Sequence, residues 1–136
     1  MNEYWNSIID EINHNDPYSE ANCIRAVSLE KGRSVVEVTL LPEHMNIWRV
    51  PHGGILFAAA DVAAGIAADS VRQGMHIVTE GSNVHFLYAN ANAKTLRAEG
   101  RVIRSGKRIH VVQSDVYDDA GNHLLTGQFT MYDTKE

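Results

Sequence analysis

The stretch His52-Gly53-Gly54-Ile55-Leu56-Phe57-Ala58-Ala59-Ala60-Asp61-Val62-Ala63-Ala64-Gly65-Ile66-Ala67-Ala68-Asp69-Ser70-Val71 decides how the rest of the 136 residues must fold. From Ile55 to Ala68 every residue is apolar or glycine except Asp61, and seven of them are alanine. A helix that is apolar all round is a buried helix. This one is too short, and too clearly marked by a central carboxylate, to span a membrane. A domain that buries a whole helix must wrap something around it, and a curved β-sheet is the expected wrapper. Burying a lone carboxylate costs several kcal/mol unless it is neutralised, paired or wet. Asp61 stands where packing would prefer another alanine, which marks a functional position.

The start of the helix adds a second feature. Gly53 and Gly54 let another group approach the backbone. The first N–H groups of a helix lack intrahelical partners and sit at the positive end of its dipole. Such donors can serve as an oxyanion hole.

Working outward, residues 2–13 read as an amphipathic helix, with Trp5, Ile8, Ile9 and Ile12 at helical spacing. Asn15-Asp16-Pro17 stops it. Residues 22–30 and 33–40 read as strands joined at Lys31-Gly32, and a loop follows from Leu41 to Pro51. The central helix is expected to end near Gln73-Gly74. Beyond it, residues 76–89, 94–104, 108–118 and 123–133 read as strands, the last three linked by hairpin turns at Arg104-Ser105-Gly106-Lys107 and Asp119-Ala120-Gly121-Asn122. This is an α+β pattern over one expected domain, 1–136, with no internal repeat or linker.

A net charge of −5 offers no large basic surface to nucleic acid. Cys23 is the only cysteine, so no internal disulfide forms, which fits a reducing compartment. The first residues show no basic n-region and no long apolar run, so a cytoplasmic protein is expected. None of the seven histidines has a metal-ligand spacing, and neither a metal nor a cofactor is expected.

The order of elements, with a long buried helix after the second strand, resembles the hot-dog fold. Asn46, His52-Gly53-Gly54 and Ala59-Ala60-Asp61 resemble the motif of the PaaI-like acyl-CoA thioesterases within that superfamily. The spacings from Asn46 to His52 and from His52 to Asp61 both match. Ala59 replaces the usual leucine. Gly65 stands where related hydroxybenzoyl-CoA thioesterases carry a threonine or serine.

The resemblance implies roles. Asp61 is the nucleophile or the general base that activates water against a thioester carbonyl. Gly53 is the oxyanion donor through its N–H. Asn46 orients the carbonyl or the water, unless it merely shapes its turn. His52 is expected to position the loop rather than transfer a proton. Thr79 aligns with a hydroxyl residue that holds the water. Gly54 and the turn Arg104, Ser105, Gly106, Lys107 and Arg108 are the candidates for contacts with coenzyme A. Arg101, Arg104, Lys107 and Arg108 form a local basic excess that suits its phosphates.

The implied reaction converts an acyl-CoA, aromatic (phenylacetyl-like) or medium-chain, to free acid and coenzyme A, which enters only as part of the substrate. Two other readings are a non-catalytic acyl-CoA-binding hot-dog protein and a hot-dog hydratase or dehydratase. The lyase reading needs a histidine paired with the acid, and none follows Asp61 on its helix. Gly53 and Asp61 lie eight residues apart, roughly 12 Å along a helix axis. One carbonyl cannot touch both groups of one chain. A homodimer in which Gly53 of one chain faces Asp61 of the other is therefore the expected minimal unit, and a homotetramer the expected assembly.

Overall fold

The computed structural model describes residues 2–135. The elements run α1 (Glu3–Asn15), α2 (Pro17–Ala21), β1 (Ile24–Glu30), β2 (Arg33–Thr39), a 3-10 turn (Pro42–His44), α3 (Gly53–Asp69), β3 (Ile77–Phe86), β4 (Thr95–Ser105), β5 (Ile109–Asp118) and β6 (His123–Asp133). All six strands join in one antiparallel sheet in the order β1-β2-β4-β5-β6-β3. After α3 the chain crosses to the far side of the sheet, so β3 pairs only with β6 and forms an edge. Alternate residues of β5 point inward, among them Val112 and Val116, and meet Phe129 of β6 and the alanines of α3 in a single core.

The small residues of α3 set the spacing between helix and sheet. Ser34 Oγ of β2 donates to the carbonyl of Ala63 at 2.6 Å, and Ser114 Oγ of β5 donates to that of Ala60 at 2.9 Å. A Cβ on Gly100 of β4 would come within 2.6 Å of the Ala63 carbonyl oxygen. Bulkier side chains on that face would hold the backbones too far apart for these bonds.

The sequence-based boundaries need four corrections. Asn15-Asp16-Pro17 ends α1 but also starts α2, because proline at the first helical position loses no hydrogen bond and is pre-set for a helix. Helix α3 ends at Asp69, not near Gly74. There Ser70 Oγ donates back to the Ala67 carbonyl, while Tyr4 and Trp5 donate to the carbonyls of Asp69 and Ser70. Strand β3 stops at Phe86, short of the expected residue 89, although one further bond follows, from the Leu87 N–H to the Leu124 carbonyl. Finally, α3 is not buried all round in one chain. Phe57, Ala58, Asp61, Val62, Gly65 and Asp69 form a half-exposed stripe. The sheet covers one side of α3, and this stripe lies on the other, next to the β3 edge.

Candidate active site

Asp61 sits on the half-exposed stripe of α3 and meets β3. The Thr79 hydroxyl donates to Asp61 Oδ1 at 2.5 Å. A β-bulge between Thr79 and Gly81 interrupts the pairing of β3 with β6 just there, and such an irregularity re-aims side chains. Burial pushes the Asp61 carboxyl above its ordinary value, and the Thr79 bond pulls it partly back. The result is a carboxylate that is a stronger base than a solvated one. Its other oxygen has no hydrogen-bond partner among the described residues, and both residues line an open cavity of about 250 Å³ that also touches Gly65, Asp69 and Met131. A Cβ on Gly65 would meet nothing within 4 Å, so the cavity continues along the helix past that position.

The helix start is capped from within. His52 is the N-cap, and its Nδ1 accepts the Gly54 N–H at 2.8 Å. That bond requires an unprotonated Nδ1 and uses up the donor of Gly54, which leaves Gly54 no N–H for a ligand. The Gly53 N–H has no acceptor among the described residues and stands at the positive end of the helix. The Phe86 ring lies against Gly53, since a Cβ there would be 3.1 Å from Phe86 Cε1.

Asn46 shapes the preceding loop. Its Oδ1 accepts from the N–H groups of Trp48 and Val50, closing a tight turn with Arg49 at φ 62° and an isolated bridge between Met45 and Pro51. The side-chain carbonyl is therefore occupied by the loop itself. His44 fixes the other end. It is buried, takes the Leu41 N–H on Nδ1, gives its Nε2 hydrogen to Asn22 Oδ1, and accepts the His52 N–H on its carbonyl. Burial lowers its pKa, the direction these bonds require. The role of His44 was not legible in the sequence, because its partners lie far along the chain.

The basic hairpin between β4 and β5 lies at the other end of α3, where Arg72 donates to the Lys107 carbonyl. Gly106 closes the turn by donating to Ile109, and Ser105 Oγ bonds His110 Nδ1. Arg108 donates to the carbonyls of Asp133 and Lys135 and so ties down the last strand. Arg104 and Lys107 enter no ion pair among the described residues. The structure thus joins Asp61 with Thr79 and His52 with Gly53 and Gly54. It separates these two groups along α3 and keeps the hairpin apart from Gly53.

No described helix is long and apolar enough to cross a membrane. Among the described residues no group of three or more histidine, cysteine, aspartate or glutamate side chains is arranged to hold a metal ion.

Residues 50–124 match the model of the thioesterase superfamily. The acyl-coenzyme A thioesterase PaaI of Escherichia coli is 34% identical over 104 residues, covering 76% of this chain and 69% of that one. The structure of the E. coli PaaI protein superposes with a TM-score of 0.89 at 23% identity, over 98% of this chain and 95% of that one. A Streptococcus mutans protein crystallised with acetyl-CoA superposes at 0.75 with 27% identity, over 83% and 90% of the two chains. A family match across more than half the sequence agrees with the helix and sheet described above: the chain belongs to the thioesterase superfamily, has its hot-dog fold, is PaaI-like within it, and is a thioester hydrolase.

Proposed function

We propose that this protein hydrolyses acyl-CoA thioesters, aromatic or medium-chain, at a site shared by two copies of the chain. The observation that carries the reading is the half-buried Asp61, held by Thr79 on the wall of a cavity. Asp61 takes a proton from water as the water oxygen attacks the thioester carbon. The carbonyl oxygen gathers negative charge and accepts the Gly53 N–H of the second copy. Collapse of the tetrahedral intermediate breaks the carbon–sulfur bond, and the proton on Asp61 passes to the departing thiolate. Direct attack by the Asp61 oxygen would give an anhydride instead, and a single turnover in heavy-oxygen water separates the routes by where the label lands. His52 holds the helix start in register, and Asn46 holds the loop before it. Arg104 and Lys107 meet the phosphates of coenzyme A.

Two features support the shared site. Roughly 12 Å of helix separates Gly53 from Asp61 in one chain. In addition, the β3 edge is long, and it and the residues just after it expose Val78, Phe86, Leu87 and Tyr88 beside the open stripe of α3. An uncovered edge strand invites pairing. Two copies joined there by a two-fold axis cover both edges and bring each Gly53 toward the other Asp61. Pairs of such dimers make the tetramer.

The test is hydrolysis of an acyl-CoA panel, read as released thiol, by wild type and Asp61→Asn. The wild type should turn over without added metal, and the variant should lose at least about a hundredfold in kcat with its thermal midpoint retained. Full activity in Asp61→Asn would remove Asp61 from the chemistry.

A further inference from the structure

The cavity beside Asp61 is lined by a further carboxylate with no evident structural work. Asp69 lies two turns further along α3 and lines the same cavity. Its Oδ1 is buried with no hydrogen-bond partner among the described residues, and its carboxylate enters none of their ion pairs. Its neighbours differ in this respect. Asp133 accepts the N–H groups of His76 and Lys135 and faces Arg72, and Asp16 accepts the Ser19 hydroxyl. Asp69 also stands in the last turn of α3, where the helix dipole disfavours negative charge. Burial and the nearby Asp133 push its pKa up to about 6. By every local rule this position should be neutral or paired.

Between the two carboxylates the walls are mostly apolar, formed by Ile12, Val62, Ile66 and Ile77, and Gly65 leaves the path open; Asp16 also lines the cavity but is engaged by the Ser19 hydroxyl. We propose that Asp69 sets the acyl specificity of the enzyme by accepting a hydrogen bond from a hydroxyl group at the far end of the acyl chain or ring. This rests on the thioesterase reading above and extends it. The geometry sets the length. Asp61 and Asp69 are eight residues apart, roughly 12 Å along the axis. Subtracting a contact of about 3 Å at each end leaves roughly 6 Å between the thioester carbon and the hydroxyl oxygen. An acyl group of five or six carbons, or one with a single ring, spans that gap. A neutral hydroxyl suits the site better than an ammonium group, because the apolar walls would strip a cation of its water.

The experiment compares hexanoyl-CoA, ω-hydroxyhexanoyl-CoA and ω-aminohexanoyl-CoA as substrates of wild type, Asp69→Leu and Asp69→Asn. In wild type the hydroxylated substrate should exceed hexanoyl-CoA in kcat/KM by at least about ten-fold. In Asp69→Leu that ratio should fall to one or below, whatever the absolute rates, and Asp69→Asn, which keeps an acceptor oxygen, should retain part of it. Both variants should melt no lower than wild type at neutral pH, because an unpaired carboxylate has been removed. A wild-type ratio of one, a ratio that survives Asp69→Leu, or a preference for the amino substrate would each overturn the assignment while leaving the thioesterase reading in place. The same ratio is measured as Kd in Asp61→Asn protein, which binds without turnover. If wild type hydrolyses none of the three and none of a wider panel, the thioesterase reading fails, and the Kd ratio still decides whether Asp69 reads the hydroxyl.

Discussion

Asp61 is held between two opposing influences, burial that raises its pKa and the Thr79 hydroxyl that lowers it. If Asp61 acts as a base, kcat/KM needs its ionised form and is lost as pH falls through its raised value. Removing the hydroxyl takes away the influence that favours the ion, so Thr79→Val should move this acid limb to higher pH. It should also lower kcat/KM near that limb by about ten-fold, while Thr79→Ser restores the profile. A limb that stays in place would show that the hydroxyl does not act on Asp61. At this scale the sequence was informative where a residue broke a local rule. Asp61 was conspicuous among alanines, Gly53 marked a helix start, and the missing hydroxyl at Gly65 directed attention to Thr79, which the fold brings to Asp61. Asp69 is not conspicuous in the sequence, because an aspartate near a helix end looks like a solvated residue until the cavity beside it is known. His44 is not conspicuous either, because its partners, Asn22 and His52, meet it only in three dimensions.

Helix α3 has one side with no slack and another with room. On the sheet side, Gly100→Ala would drive a methyl group into the Ala63 carbonyl, which is backbone and cannot rotate away. Denaturant unfolding should show a loss of about 1–3 kcal/mol. On the cavity side, Gly65→Ala meets open space and replaces a poor helix former, so it should gain up to about 1 kcal/mol by the same measurement. The added methyl narrows the cavity, so kcat/KM should fall more for longer acyl groups than for acetyl. Equal effects across chain lengths would place the acyl group elsewhere. The elements themselves were largely legible, since β4, β5 and β6 alternate inward and outward residues between clear turns. What escaped was set by other elements. Tyr4 and Trp5 on α1 claim the carbonyls that end α3, and Pro17 acts as a helix start only because the chain turns there.

The class of the molecule, an antiparallel sheet around a small-residue helix, was legible from α3 and the hairpins. The position of β3 was not. Nothing in its residues says that it pairs with the last strand rather than the next one. The exposed β3 edge and the distance between Gly53 and Asp61 support the proposed second copy, and mixing two inactive variants tests it. Gly53→Pro lacks the donor N–H, and Asp61→Asn lacks the carboxylate. Once the Gly53→Pro chain is shown to fold and subunit exchange is demonstrated, half the dimers are mixed, and about a quarter of all sites should recover activity. A mixture as inactive as its parents would rule out the shared site. The tight seam between α3 and the sheet has a further consequence. Ser34, Ser114 and Gly100 bind the helix so closely that it cannot roll or slide to fit a new ligand. Positions that build the molecule and positions proposed to meet the acyl group therefore occupy opposite sides of one helix. Variation on the cavity side is cheap for the fold, so a lineage carrying this chain can change its diet of thioesters without risking its architecture.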